Sequence, residues 1–136
     1  MYIHESHIRI RYSETDQMGY TYYGNYAAFY EVGRVEMLRS LGLTYRSFEE
    51  NGIMMPVLEL HCKFIKPARY DDKITVRTIL KEAPAARIHF DYELYNEAGV
   101  LINTGHTKLV FIDMQTNRPR KPPADFMELL QPYFEQ

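Results

Sequence analysis

Apolar and polar positions alternate along this chain at two different periods, and each change of period marks a new element. Ile8, Ile10 and Tyr12 alternate with Arg9 and Arg11, the period-two pattern of a half-buried strand. The polar run Ser13-Glu14-Thr15-Asp16-Gln17-Met18-Gly19 then reads as a loop. From residue 23 to 41 the spacing becomes three and four: Tyr26, Phe29, Tyr30, Gly33, Met37 and Leu41 form one helical stripe. Ala27, Ala28, Val32, Val35 and Leu38 make much of the remaining surface apolar, so this helix is expected to be covered by protein on most sides. Gly42 supplies a C-terminal stop. A short helix is predicted over 44–50, with Thr44 as its cap and Gly52 beyond its end.

Period two returns after Gly52. Leu58, Leu60, Cys62 and Phe64 alternate with Glu59, His61 and Lys63 until Pro67 ends the strand. Ile74, Val76, Thr78 and Leu80 mark a second strand. A turn at Pro84-Ala85-Ala86 leads to a third, carrying Ile88, Phe90, Tyr92 and Leu94. Asn96-Glu97-Ala98-Gly99 closes a hairpin into a last strand over 100–114. Residues 116–123 form a basic, proline-rich turn, and 124–134 read as a terminal helix with Phe126, Leu129, Leu130 and Tyr133.

Strand, long helix, then four strands on short connections predict an α+β fold: an antiparallel five-stranded sheet wrapped around the long central helix. Five strands cover only part of such a helix. Two chains are therefore expected to join their sheets edge to edge, which also removes an exposed edge, giving a homodimer or a homotetramer.

Composition narrows the possibilities. At 136 residues, with no linker or repeat, the chain is read as one domain over 1–136. A net charge of -2 argues against nucleic acid as the main partner, although one small phosphorylated ligand needs only a local basic cluster. No apolar run is long enough for a membrane, and the polar N-terminal residues lack a signal-peptide layout. Cys62 is the only cysteine, so no intrachain disulfide forms and a cytoplasmic location is expected. The 12 tyrosines and 7 methionines suit adaptable, partly polar pockets or interfaces.

The stretch from Tyr12 to Tyr26 concentrates the chemistry. Asp16 stands before the N-terminus of the long helix, where free backbone N–H groups and the positive end of the dipole collect. A carboxylate and such N–H groups together are the parts acyl transfer needs: a nucleophile or base, and an oxyanion hole. The bland reading is a loop or capping acid.

Thr15-Asp16, Gly19 and Asn25-Tyr26, followed by Phe29-Tyr30-Glu31, Arg34 and the segment from Phe64 to Asp72, resemble the signature of the 4-hydroxybenzoyl-CoA thioesterase family of the hotdog superfamily. The resemblance covers nearly the whole chain, strand order included. It implies an acyl-CoA thioesterase in which Asp16 is the catalytic carboxylate and Tyr23 gives a backbone N–H to the thioester carbonyl, with Gly24 beside it. Many bacterial members carry histidine where this chain has Gly24. The resemblance thus implies that Asp16 works with backbone donors and no histidine helper here, and glycine would let an acyl group approach closely. A hotdog hydratase or dehydratase, which needs a histidine, and a non-catalytic acyl-CoA-binding module are the alternatives.

Other candidates are weaker. Gly19 and Tyr20 belong to the same loop, and Met55, Pro56 and Val57 could equally line an acyl pocket or pack in the core. Arg118, Arg120 and Lys121 are the densest basic cluster, suited to the phosphates of coenzyme A or simply to a solvated turn. Glu31 is expected to pair with Arg34 three residues on and not to act in catalysis. The histidines lack a set of acids or thiols around them, so no metal or other cofactor is expected. Cys62 alternates with leucines as a structural thiol.

Overall fold

In the computed structural model, which describes residues 1–134, five strands form one antiparallel sheet in the order β1-β4-β5-β6-β3. They are β1 (Tyr2–Arg9), β3 (Val57–Phe64), β4 (Lys73–Leu80), β5 (Arg87–Tyr95) and β6 (Leu101–Val110). The long helix α1 (Tyr26–Ser40) lies across β1, β4 and β5 on the inner face. This is the α+β arrangement that the alternation predicts, a five-stranded antiparallel sheet packed on the long helix. A second small sheet joins β2 (Ile53–Met54), β7 (Ile112–Asp113) and β8 (Arg118–Pro119). Helix α2 (Tyr45–Glu50) packs beside it, and α3 (Ala124–Phe134) closes the end of the core through Phe126 and Leu130. No helix among the described residues is long and apolar enough to cross a membrane.

Strands β4 and β5 follow their patterns closely: Ile74, Val76, Thr78 and Leu80, and Ile88, Phe90, Tyr92 and Leu94, are all buried. Glycine lets the helix settle onto them. A Cβ on Gly33 would collide with Thr78 Oγ1, and one on Gly105 of β6 would collide with the Tyr30 ring. Tyr30 instead lies flat against Tyr92, with ring centroids 4.3 Å apart. Its hydroxyl reaches Asn103 Oδ1 and, at 3.1 Å, Cys62 Sγ. Thr44 caps α2 by accepting from the Ser47 N–H at 2.9 Å.

Several expectations need correction. The first strand spans Tyr2–Arg9, paired along its length with β4, and Tyr12 falls in a 3-10 turn with its side chain exposed. The polar N-terminal residues hid a strand because every second one is only half-buried. The helix begins at Tyr26, preceded by a separate 3-10 turn over Tyr23–Asn25. It is covered on one side only: Ala27, Ala28, Glu31 and Val32 are exposed. The last strand breaks at Phe111, which enters the core between β6 and β7. The basic turn contributes β8.

Two departures bear on function. Arg34 is buried but does not meet Glu31. Its Nε donates to the Tyr45 hydroxyl at 2.9 Å and its Nη1 to the Tyr92 hydroxyl at 3.2 Å. Strand β3 has a core-like pattern but sits at the sheet edge with its apolar side bare: Leu58 is 49 % exposed, Leu60 42 % and Phe64 52 %.

Candidate active site

Asp16 sits in a tight loop that it builds itself. Its N–H donates to the Tyr20 carbonyl at 2.9 Å, and its own carbonyl accepts from Gly19 N–H at 3.0 Å. Gly19 takes φ +80°, a conformation that favours glycine. One carboxylate oxygen, Oδ1, accepts from the N–H groups of Met18 at 3.0 Å and Tyr20 at 3.3 Å. That fixes the carboxylate and leaves its other oxygen free of this turn. The loop is tied to the rest of the chain by the Thr21 N–H and hydroxyl, both donating to the Ala68 carbonyl. The Glu14 carbonyl accepts from Tyr22 N–H and from the Asn25 side chain.

These ties hold a cavity of about 280 Å³ between the loop, the start of α1 and the end of β3. Asp16, Met18 and Tyr20 line one side, Tyr23 and Tyr26 the floor, and Phe64 to Pro67 the other side. Tyr26 and Phe64 meet edge to face, with ring centroids 5.0 Å apart. Burial, and then the nearby Cys62 thiol, pushes the Tyr26 phenol above its ordinary value, so that wall stays neutral. The Arg69 guanidinium lies over the Tyr20 ring, 5.1 Å from its centroid, on the outer side of the loop.

Tyr23 and Gly24 open the 3-10 turn that leads into α1. Asn25 N–H is already bonded to the Tyr22 carbonyl, whereas the two N–H groups before it precede the first helical hydrogen bond and have no intrahelical acceptor. Tyr23 and a fixed carboxylate thus border one apolar cavity, with Gly24 next along the turn. The space above Gly24 is not open, however: a Cβ there would stand 2.6 Å from Cε2 of Tyr22. Tyr22 packs on Tyr23 with centroids 4.7 Å apart, so the expected close approach over Gly24 requires Tyr22 to swing aside.

The remaining candidates lie elsewhere in the chain. Met55 borders a separate small cavity of about 60 Å³ with Tyr45, Phe48 and Met54, and Pro56 and Val57 are exposed at the start of β3. Arg118 lies in β8, and Arg120 Nε donates to the Lys121 carbonyl, beside the small sheet. Val57 and Phe64 are opposite ends of one eight-residue strand, about 23 Å apart at the usual rise. Within one chain, then, neither Met55–Val57 nor the basic cluster touches the Asp16 cavity. Lys66, Ile65 and Pro67 do, though the sequence reading gave them no role; their position after an alternating strand and before Asp71-Asp72 was the available signal. Among the described residues, no group of three or more His, Cys, Asp or Glu side chains is arranged to hold a metal ion.

The chain is similar to known thioesterases along most of its length. YneP of Bacillus subtilis strain 168 is 31 % identical over 88 % of this chain and 86 % of its own. The acyl-CoA thioester hydrolase YbgC of Escherichia coli O6:H1 is 28 % identical over 88 % of this chain and 90 % of its own. The structure of a DHNA-CoA thioesterase from Staphylococcus aureus superposes with a TM-score of 0.92 at 34 % identity, covering 98 % of this chain and 91 % of that one. Residues 10–130 match the thioesterase-like superfamily, so the loop, helix and meander that frame Asp16 all fall within the shared region. The chain belongs to that superfamily and is a hotdog-fold thioesterase.

Proposed function

We propose that the chain hydrolyses an acyl-CoA thioester to the free acid and coenzyme A, with Asp16 as the catalytic carboxylate. The observation that supports this reading is the cavity lined by both Asp16 and Tyr23, the residue that opens the 3-10 turn into α1, with Gly24 next along that turn. The thioester carbonyl oxygen lies at the N–H groups of these two turn residues, which strengthen their hydrogen bonds as charge develops on it. Asp16 attacks the carbonyl carbon, the coenzyme A thiolate leaves, and water cleaves the resulting mixed anhydride. Equally balanced is a route in which Asp16 takes a proton from the attacking water. No histidine lines the cavity, which favours hydrolysis over hydration of an enoyl group.

The working unit in this reading is a homodimer, two of which can assemble as a tetramer, in the cytoplasm. Antiparallel pairing of two β3 edges covers Leu58, Leu60 and Phe64. It also sets the Val57 end of one strand beside the Phe64 end of the other, bringing the partner's Met55, Pro56 and Val57 to the cavity wall at Ile65–Pro67. Strand β2 immediately precedes Met55 and carries β7 and β8 with it, so Arg118, Arg120 and Lys121 arrive on the same side. There they can hold coenzyme A phosphates. Asp16→Asn, which keeps an acceptor for Met18 and Tyr20 N–H, is expected to lower turnover of a panel of acyl-CoA thioesters by about 10²-fold or more with the fold unchanged. Thiol release at the wild-type rate by that variant would rule Asp16 out.

A further inference from the structure

Two aromatic rings close the inner end of the cavity beside Asp16. Tyr26, at the start of α1, is 3 % exposed and packs edge to face on Phe29 with centroids 5.3 Å apart. That ring is rooted in the core. Phe64, the last residue of β3, meets Tyr26 edge to face at 5.0 Å and Tyr23 at 6.5 Å. These contacts hold one side of the Phe64 ring, yet the residue is 52 % exposed. Of the two rings, only Phe64 can be removed without opening the core.

The interior behind the rings is full. Cys62 lies two residues back on the same face of β3, opposite Gly105 of β6. The Tyr30 ring fills the space over Gly105, and Tyr30 and Asn103 are both wholly buried. The Cys62 sulfur accepts from the Asn103 side-chain amide at 3.3 Å. An acyl chain therefore finds no room past Tyr26. The remaining direction runs along the bare row of β3, past Cys62 to Leu60, which is 42 % exposed. The Phe64 ring stands at the head of that row. At about 280 Å³, the cavity it closes falls just under the range usual for a bound small molecule, about 300–1,000 Å³.

We infer that Phe64, braced by Tyr26, sets the upper size of the acyl group, so that the protein takes short or single-ring acyl thioesters and rejects longer fatty ones. The inference rests on the thioesterase reading proposed above and adds the acyl class to it. One methylene gained or lost in an apolar pocket already changes kcat/KM by about tenfold or more. A chain that meets a braced ring has to displace it, and a packed wall resists that.

The test measures kcat/KM by thiol release from acetyl-, hexanoyl-, benzoyl- and decanoyl-CoA, using the full chain. Wild type is expected to favour hexanoyl-CoA over decanoyl-CoA by about tenfold or more. Phe64→Ala opens the cavity onto the β3 row and raises the decanoyl-to-hexanoyl ratio by about tenfold or more. Phe64→Leu keeps an apolar edge and moves the ratio the same way by less; it decides the matter if the alanine variant does not fold. Leu60→Ala removes surface from the same edge but leaves the ring, and keeps the wild-type ratio. A wild type that cleaves decanoyl-CoA as well as hexanoyl-CoA, or a ratio unmoved in both Phe64 variants, overturns the size limit and leaves the thioesterase reading standing. An equal shift in Leu60→Ala removes the role assigned to the Phe64 ring. No thiol release from any of the four esters by wild type overturns the thioesterase reading itself.

Discussion

The Arg34 guanidinium donates to the Tyr92 hydroxyl across 3.2 Å in the core, and among the described residues it has no carboxylate partner. Tyr45 takes its Nε–H, and Tyr92 in turn shares a hydrogen bond with Thr107 at 2.6 Å. Burial alone would lower the Arg34 pKa, and the oxygens of Tyr92 and Tyr45 more than offset this. The charge is thus held by phenols from α2 and β5, and it pins α1 to both. Arg34→Met removes a costly buried charge but leaves the Tyr45 hydroxyl without its donor, and is expected to cost about 1–3 kcal/mol. Arg34→Lys keeps the charge with a single point of contact and is expected to cost more than Met. Urea unfolding of both variants checks the order; a milder Lys variant would show that charge, not the planar fork, matters here.

Alkaline pH acts on the same network. Burial pushes the Tyr92 phenol up to about 12 from an ordinary 10.0, and pushes Tyr30 up as well. The unfolded chain therefore loses these protons first. The stabilisation is intact below pH 10.0 and is lost as pH rises towards about 12. Denaturant midpoints at rising pH should fall over that window, and Tyr92→Phe should flatten the fall.

Tyr23 offers a way to remove a backbone donor without moving the loop. The residue before it, Tyr22, has ψ 130°, which suits a following proline, and the first position of a helical turn accepts proline well. Tyr23→Pro is expected to keep the fold and lower kcat by about 10²–10³-fold, whereas Tyr23→Ala retains the N–H and most of the rate. Equal rates in the two variants, measured by thiol release, would remove this N–H from the oxyanion hole.

Leu60 tests the edge. It is 42 % exposed in one chain, so Leu60→Lys should change the stability of the isolated fold by only about 0.5 kcal/mol. A lysine on each β3 edge opposes pairing. Sedimentation velocity is expected to show monomers, and activity should fall with them because the partner's Met55–Val57 no longer reaches the cavity. A fully active monomer would contradict the shared site.

Local pattern carried much of the fold. Strands β4 and β5 and helix α3 were legible because their covers lie in the same chain, so alternation and burial coincide. Strand β3 reads as core in the sequence yet is bare, since alternation records that a face is to be covered without saying by which chain. The Asp16 cavity was half legible: the loop and helix start are contiguous, but Phe64 to Pro67 reach it through the bond between Thr21 N–H and Ala68 O, a contact across the fold. The Arg34 partner was misread for a similar reason. Glu31 is near in sequence, whereas Tyr92 is near only after β5 has folded under α1.

The Asp16 carboxylate holds its own loop through Oδ1, and an asparagine offers the same acceptor oxygen to Met18 and Tyr20. The loop's architecture is therefore kept through one nucleotide change, from an aspartate to an asparagine codon, that removes the carboxylate. On the reading proposed above, a lineage carrying that change keeps a folded cavity for the thioester without the carboxylate, so a carrier or sensor of acyl groups lies a single mutational step from the enzyme.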